Sequence, residues 1–266
     1  MQLVDIGANL THESFHHDRD AVLARARAAG VLQMVVTGAS AQGSEDALAL
    51  ALRHPGVLYA TAGVHPHHAA SYSAETDALL RDLARAPGVV AVGEAGLDYF
   101  RDFSPRPAQH FAFEQQLQIA MDTGKPLFAH QRDAHEDFIA IVKPLRHRLG
   151  RVVVHCFTGE RRELFQCLDL DLDIGITGWI CDERRGSHLV ELAPSIPAAR
   201  LMIETDAPYL LPRDLPRKPA NRRNEPAFLA HVCAAIAHAR GEHVQDLAAS
   251  STATAREFFG LPPAPV

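Results

Sequence analysis

Val89-Val90-Ala91-Val92-Gly93-Glu94 is a short apolar run that ends in one carboxylate able to bind a metal. Three later runs have the same form, and they end in His130, His155 and Asp206. Mostly apolar runs of about four to six residues indicate buried strands when helical segments lie between them. Because the carboxyl ends of parallel strands meet at one rim, these residues predict a parallel barrel with a hydrolytic metal site at that rim.

The rest of the chain repeats this alternation of apolar runs and helical segments. Eight runs predict strands, at residues 2–6, 33–37, 58–62, 89–93, 126–129, 151–154, 173–177 and 201–204. Helices are predicted over 18–29, through Phe113 and Met121 up to Gly124, and over 226–240 and 244–259. We therefore expect an α/β chain with a single barrel domain over residues 1–266. An open doubly wound sheet is the rival fold, but residues 5–9 do not form its glycine-rich phosphate loop.

The composition limits the classes of protein that the chain can represent. Its 266 residues, with 47% hydrophobic and 22% charged, are typical of a globular protein with a sizeable core. The net charge of −6 argues against coating nucleic acid through bulk electrostatics, so a polyanion must meet a local basic patch. No apolar run reaches the roughly 18 residues that span a bilayer, so we expect no membrane partner.

The cysteines and the first residues indicate a compartment. The chain has four cysteines, and none is in a C-x-x-C spacing that would favour a zinc knot: Cys156, Cys167, Cys181 and Cys233. Reduced thiols are the better interpretation than disulfides. The start of the chain has no basic segment leading into an apolar one, so no secretory signal is predicted. We expect a cytoplasmic monomer.

The residues at the four strand ends favour a divalent cation. Side chains alternate across a strand, so Val90, Val92 and Glu94 are expected on one face, with Glu94 emerging at the rim. A single His or Asp at a strand end is also explained as a helix cap or a turn residue, but four on different strands favour a metal. Carboxylates suit Mg²⁺ or Mn²⁺ and imidazoles tolerate Zn²⁺ or Mn²⁺, so the residue types leave the metal open.

Several segments resemble the motifs of the TatD family of metal-dependent deoxyribonucleases. The strand-end segments are GVHPH at 63–67, GEAGLD at 93–98, HQRD at 130–133, HCFTG at 155–159 and ETDAP at 204–208. Residues 5–11, 181–186, 208–214 and 222–226 resemble the family as well, so the likeness covers nearly the whole chain. It implies a TIM-type (β/α)8 barrel, Mg²⁺ as cofactor, and a 3′→5′ exonuclease acting on single-stranded DNA and RNA. It also implies a role in the repair of oxidative DNA damage.

One position departs from the wider family. Most members carry Asp-x-His-x-His at the end of the first strand, which provides two ligands for one metal of a pair. Here the matching positions are Gly7 and Asn9, and neither replaces an imidazole. We therefore expect one well-held metal on Glu94, His130 and His155, and a second ion that is weak or arrives with the substrate phosphate.

The resemblance and the chemistry of phosphodiester hydrolysis together suggest two further roles. Asp206 is predicted to orient or deprotonate the attacking water and to touch the metal. His65 is predicted to contact the phosphate or stabilise the leaving oxygen, although a turn-stabilising role before Pro66 explains it equally well.

Arginines near the rim are the candidates for binding a polyanion. The segment 213–223, here named the basic loop, follows the eighth strand and contains five cations: Arg213, Arg217, Lys218, Arg222 and Arg223. We predict that Arg222 and Arg223, with Arg132 and Arg184 from other rim loops, bind the nucleic-acid backbone. Trp179 and Tyr209 are candidates for stacking on bases, and packing is an equally good explanation for Trp179.

Two other functions fit parts of the pattern. The same metal site suits an esterase or amidohydrolase, for instance an aminoacyl-tRNA deacylase. A non-catalytic nucleic-acid-binding protein is suggested by Gly7 and Asn9. The presence of Glu94, His130, His155 and Asp206 together argues against a site that has lost turnover.

Overall fold

The structure is a computed structural model that describes residues 1–264, and it contains all eight predicted strands. These are β1 Leu3–Ala8, β2 Val31–Val36, β3 Leu58–Ala62, β4 Val89–Asp98, β5 Leu127–Arg132, β6 Val152–Val154, β7 Asp173–Ile176 and β8 Leu201–Ile203. The described residues also form nine α-helices: α1 Arg19–Ala28, α2 Ala41–Arg53, α3 Ala74–Arg85, α4 Arg106–Thr123, α5 His135–Leu145, α6 Arg161–Asp169, α7 Ser187–Leu192, α8 Leu229–Arg240 and α9 Val244–Phe259.

The strands form one parallel sheet in the order of the sequence, from β1 to β8. The sheet curls until its two edges meet, where Asn9 N donates to the Ala207 carbonyl oxygen at 2.7 Å. Asp206 N donates to the Gly7 carbonyl oxygen at 2.8 Å, beside a parallel bridge between Ala8 and Ala207. The predicted (β/α)8 barrel is therefore confirmed as a nearly closed barrel with helices between its strands.

The predicted helices are present with small shifts at their ends. α4 ends at Gly124, whose left-handed backbone (φ 67°) stops the helix as expected. α8 begins at Leu229 rather than Pro226, because residues 226–228 form a 3₁₀ turn. Across residues 1–264, none of the helices combines the length and the apolar character that a bilayer crossing requires.

Apolar side chains fill the barrel interior and support the rim. One buried cluster joins the strands to the carboxyl end of α9, and it includes Val4, Ile6, Val153, Met202, Phe258 and Phe259. Phe128 belongs to this cluster, and its ring stacks on His155 with the ring centroids 4.5 Å apart. A packed interior thus supports one of the residues predicted to bind the metal.

Strand β4 is longer than predicted. It continues to Asp98 instead of ending at Gly93, because residues 95–98 pair with residues 129–132 of β5 after a register shift. Gly93 (φ 133°) and Gly96 (φ 151°) adopt backbone conformations that favour glycine. A Cβ at Gly96 would lie 1.8 Å from the His130 carbonyl oxygen, so this close approach of β4 and β5 needs the glycine.

The irregularity in β4 also changes which way its side chains point. Val90 belongs to the interior cluster, whereas Val92 packs in the larger cluster that contains the helices. The expectation that Val90, Val92 and Glu94 share one face is therefore wrong. A bulge shifts the alternation of side chains by one residue, and this changes the direction of the Glu94 side chain at the rim.

A buried carboxylate lies where β1 meets the end of β8. Asp5 accepts hydrogen bonds from Thr205 N (2.9 Å), from Thr205 Oγ1 (2.5 Å) and from Gly7 N (3.3 Å). Burial raises the pKa of Asp5 to about 7, although these hydrogen bonds act in the opposite direction. A buried carboxyl group with a raised pKa thus links β1 to the residue that follows Glu204 after β8.

Replacing this carboxylate by an amide should reduce the pH dependence of stability. The pKa of Asp5 in the folded protein is raised above the ordinary value of 3.8. Protonated Asp5 therefore contributes its full stabilisation below pH 3.8, and this stabilisation is lost as the pH rises through about 7. The amide in Asp5→Asn does not titrate. Between roughly pH 5 and 8, the free energy of unfolding of the wild type should fall by about 3 kcal/mol relative to Asp5→Asn.

Urea unfolding of both proteins at a series of pH values, in the presence of chelator, measures this difference. Glu45→Gln, at an exposed position on α2, is the control that should track the wild type. Parallel stability profiles for the wild type and Asp5→Asn would show that Asp5 does not titrate in this range.

Candidate metal centre

The three predicted ligands meet at the rim of the barrel. His155 Nε2 lies 2.7 Å from Glu94 Oε1, and His130 Nδ1 lies 3.0 Å from the same oxygen. The two imidazole nitrogens are 3.4 Å apart. Each residue comes from a different strand or strand end, on β4, β5 and after β6.

This donor set fits a divalent metal ion. A carboxylate oxygen and two imidazole nitrogens at these separations lie near the spacing expected for ligands with bonds of about 2.0–2.2 Å to one ion. Burial by itself would raise the pKa of Glu94, but His155 and His65 overcome this and hold that pKa well below its usual range. Burial would lower the pKa of His155, but the nearby carboxylates of Glu94 and Glu204 raise it. Glu94, His130 and His155 thus form a candidate site for a divalent cation.

Glu204, which was not among the predicted site residues, orients His155. Its carboxylate is fully buried, and Oε2 lies 3.2 Å from His155 Nδ1. Oε1 accepts a hydrogen bond from Cys156 N at 2.5 Å. With its Nδ1 proton donated to Glu204, His155 presents the Nε2 lone pair to the metal position.

Asp98 lies near His130 without a hydrogen bond to it, and it was also absent from the predicted site residues. Its Oδ2 lies 3.5 Å from His130 Nε2 and 2.7 Å from His67 Nε2. His130 therefore turns Nδ1 towards Glu94 and Nε2 towards Asp98. The only signal in the sequence was the position of Asp98 at the end of the GEAGLD segment.

His65 lies beside the ligands, and its hydrogen bonds decide its chemistry. His65 Nδ1 accepts a hydrogen bond from His67 N at 3.0 Å, so the neutral ring carries its proton on Nε2. That nitrogen is 3.3 Å from Glu94 Oε1, and donor atoms of His65, Glu94 and His130 lie within 4.8 Å of one another. Burial lowers the pKa of His65 to about 4, which keeps the ring neutral at physiological pH. His65 is therefore placed as a hydrogen-bond donor rather than as a metal ligand.

Asp206 is held at the rim by a neighbour from the end of β1. Asn9 Nδ2 donates to Asp206 Oδ1 at 3.0 Å. Burial raises the pKa of Asp206 to about 7, with Glu94 and Glu204 adding to the shift and His155 opposing it. A carboxyl with this pKa suits a residue that accepts a proton near neutral pH.

The positions where the wider family carries two histidines have other uses here. A Cβ at Gly7 would lie 2.6 Å from Glu204 Oε2 and 3.0 Å from Phe128 Cζ. A Cβ at Gly175 would lie 2.6 Å from Glu204 Oε1. Glu204 therefore occupies a cradle that only glycines leave open, while Asn9 positions Asp206. Gly7 thus leaves room for the carboxylate of Glu204, and Asn9 positions that of Asp206; both carboxylates follow β8.

Two of the predicted substrate-binding arginines lie in rim loops. Arg132, at the end of β5, donates to Thr158 Oγ1 at 3.2 Å and lies over the Trp179 ring at 4.9 Å. Arg184 is exposed, with Nε 3.5 Å from Asp182. Arg185 covers Trp179 at 4.4 Å, so two arginines contact this ring.

Two cations of the basic loop pair with acidic residues, and the other three are exposed to solvent. Arg223 makes two hydrogen bonds with Asp18, at 2.8 and 2.7 Å, and its guanidinium also lies over Phe15. Arg213 pairs with Glu183 at 3.2 Å. The exposed cations of the loop are Arg217, Lys218 and Arg222.

Two exposed aromatic residues in the loop after β4 were not noticed in the sequence. Phe100 and Phe103 are 57% and 67% exposed. Arg132 lies over Phe100 at 4.9 Å, and Phe103 contacts the ring of His67 at a centroid distance of 4.8 Å. The rim therefore presents aromatic faces next to Arg132 and His67.

Comparisons with known proteins indicate one family. The family model described as TatD related DNase matches residues 4–260. The chain is 54% identical over 259 residues to the 3′-5′ ssDNA/RNA exonuclease TatD of Erwinia amylovora, covering 97% of this chain and 100% of that relative. It is similar to the crystal structure of YJJV, a TatD homologue from Escherichia coli K12, with a TM-score of 0.89, 28% identity and 98% coverage of both chains. A TatD-family hydrolase from Entamoeba histolytica gives a TM-score of 0.88 at 26% identity, covering 98% of this chain and 99% of that one.

Because Gly7 leaves the space that Glu204 occupies, we predict that a substitution at Gly7 affects metal binding, although Gly7 is not a metal ligand. Gly7→Ala should displace the Glu204 carboxylate and weaken divalent-metal affinity about 10–100-fold, as loss of a ligand's supporting partner does. Glu204→Gln should also weaken the affinity for the divalent metal. Calorimetric titration with Mn²⁺ measures both variants.

Gly150→Ala is the matched control, because a Cβ there would approach its nearest neighbour, the Gly124 carbonyl oxygen, only to 3.8 Å. It should bind Mn²⁺ like the wild type. Unchanged affinity in Gly7→Ala would show that the position of Glu204 does not govern the metal.

Proposed function

The chain belongs to the TatD-related DNase family, and on this basis we propose that it is a 3′→5′ exonuclease that hydrolyses phosphodiester bonds of single-stranded DNA and RNA. The observation that carries the proposal is the convergence of two imidazole nitrogens on Glu94 Oε1 at the barrel rim, beside Asp206 and His65. Curated relatives that cover nearly the whole chain carry the name of this activity.

We propose Mg²⁺ as the ion, held by Glu94, His130 and His155, with Mn²⁺ or Zn²⁺ as substitutes. A bound divalent ion supplies positive charge to the phosphate oxygens and promotes ionisation of the attacking water. The two carboxylate-paired imidazoles and the carboxylate of Glu94 form a mixed nitrogen and oxygen site, which does not exclude any of these ions.

The chain's own residues handle the proton and the leaving oxygen. Asp206, oriented by Asn9, accepts the proton of the attacking water, for which a pKa of about 7 is well matched. His65 stays neutral and donates its Nε2 proton in a hydrogen bond to a phosphate oxygen or to the leaving oxygen. Because the backbone amide of His67 fixes the tautomer, this donor is set before substrate binds.

The single strand is proposed to lie across the rim on arginines and aromatic rings. Arg132, Arg184 and Arg222 would meet phosphates. Phe100, Phe103, Trp179 and Tyr209 offer faces for base stacking. Arg223 was predicted to bind substrate directly, but its hydrogen bonds to Asp18 support a role in anchoring the basic loop instead.

The wider setting remains a proposal. We propose a single-domain monomer over residues 1–266 that acts in the cytoplasm, where the four free cysteines of the described chain would stay reduced. Removal of damaged single-stranded ends during the repair of oxidative DNA damage is the role that fits a 3′→5′ exonuclease.

The activity is expected to need an added divalent ion while the fold does not. The ligands lie on the rim above a packed interior, so EDTA should abolish digestion without changing the circular dichroism spectrum. With Mg²⁺ and 5′-labelled single strands, a ladder shortening from the 3′ end should appear, and nucleoside monophosphates should be released. Full turnover in excess EDTA, or release of a free amino acid from aminoacyl-tRNA without nucleotide products, would overturn the assignment.

Asp206→Asn should separate proton transfer from metal binding. Asparagine keeps the size of the side chain but accepts no proton, so kcat should fall on the order of 10²–10⁴-fold with little change in substrate affinity. His155→Ala removes a ligand, so raised Mn²⁺ should restore part of its rate. Rates of both variants against metal concentration test this, and complete rescue of Asp206→Asn by metal would make Asp206 a ligand only.

A further inference from the structure

A second group of metal-competent side chains lies away from Glu94. Cys181 ends the 3₁₀ turn after β7, Asp214 lies in the basic loop, and His231 is in the first turn of α8. One donor atom from each of the three lies within 4.8 Å of the others. The shortest separation is 2.7 Å, between His231 Nε2 and Asp214 Oδ1.

An ion pair between Asp214 and His231 explains only two members of this group. Cys181 is buried, and its Sγ lies within 4.8 Å of a donor atom of Asp214 and of His231. A thiol placed against a carboxylate gains little, since the S–H group is a weak donor. A cation that binds both groups would stabilise the thiolate and the carboxylate together.

We propose that Cys181, Asp214 and His231 bind a Zn²⁺ ion that fastens the basic loop to the barrel rim. The set offers one sulfur, one nitrogen and one oxygen ligand, and Zn²⁺ accepts all three types in tetrahedral sites. The ligands of such a site lie about 3.3–3.8 Å apart at ordinary bond lengths, so small side-chain rotations complete the geometry. Asp214 is exposed, so a water molecule would have access as the fourth ligand. Binding releases the thiol proton to solvent.

The site would join three segments that are separate in the sequence. It links the 3₁₀ turn that carries Trp179, the loop that carries Arg217, Lys218 and Arg222, and helix α8. Holding this loop in one conformation reduces the entropy lost when its cations meet a polyanion. The site is separate from the proposed exonuclease centre, and its existence does not depend on that activity.

Cobalt spectroscopy tests the proposal without measuring turnover. When Co²⁺ is added to the wild type, a thiolate-to-cobalt charge-transfer band should appear in the near ultraviolet and saturate. Cys181→Ser should abolish this band. Cys233→Ser, which replaces a buried thiol against α9, should keep it, and so should Cys156→Ser, next to His155.

A second measurement uses the more accessible partners, whose replacement leaves the core intact. Asp214→Asn and His231→Gln should each lower the zinc retained after dialysis by about one equivalent per chain, while the circular dichroism spectrum stays unchanged. Glu94→Gln should lose zinc from the other centre and keep the charge-transfer band. Absence of the band in the wild type, its loss in Cys156→Ser, or full zinc retention in Cys181→Ser would each overturn the proposal.

Discussion

The contact between the buried Glu204 carboxylate and His155 is the constraint around which the rim is built. A buried carboxylate is costly unless its oxygens are paired, and Glu204 gives one oxygen to His155 Nδ1 and the other to Cys156 N. This pairing requires space inside the barrel, which Gly7 and Gly175 provide from β1 and β7. It also fixes which nitrogen of His155 points at Glu94. The identities of residues on three strands thus follow from one hydrogen-bonded carboxylate.

The electrostatics of the rim favour a cation more strongly than the overall charge of −6 suggests. Glu94, Asp98, Glu204 and Asp206 lie at this end of the barrel, and three of them contact imidazole rings. The neighbouring imidazoles lower the pKa of Glu94 against the effect of burial, whereas burial, with Glu94 and Glu204 nearby, raises that of Asp206. A divalent ion adds a fixed positive charge. In the proposed mechanism, Asp206 is then the carboxylate that exchanges a proton with water.

The sequence predicted the strands better than the contacts between distant residues. Apolar runs locate all eight strands because burial on both faces of a parallel sheet needs such runs. The extent of β4 was not predictable, because it depends on how Gly93 and Gly96 let β5 approach. The adjacent residues Arg222 and Arg223 look the same in the sequence. Only the folded structure shows that the guanidinium of Arg223 donates to Asp18, which lies 205 positions away in the sequence.

At the two positions where the wider family carries histidines, Gly7 and Asn9 thus have other roles. An imidazole at residue 7 would need the space that Glu204 occupies, so the first-strand ligand and the present support of His155 exclude each other in this geometry. Asn9 gives up coordination but donates a neutral hydrogen bond to Asp206, which leaves that carboxylate able to take a proton. Two imidazole ligands would favour a permanent second ion, whereas a hydrogen-bonded Asp206 favours one ion and a carboxylate base. In the proposed mechanism, a positioned proton acceptor therefore replaces a second metal, and a single bound cation suffices for hydrolysis.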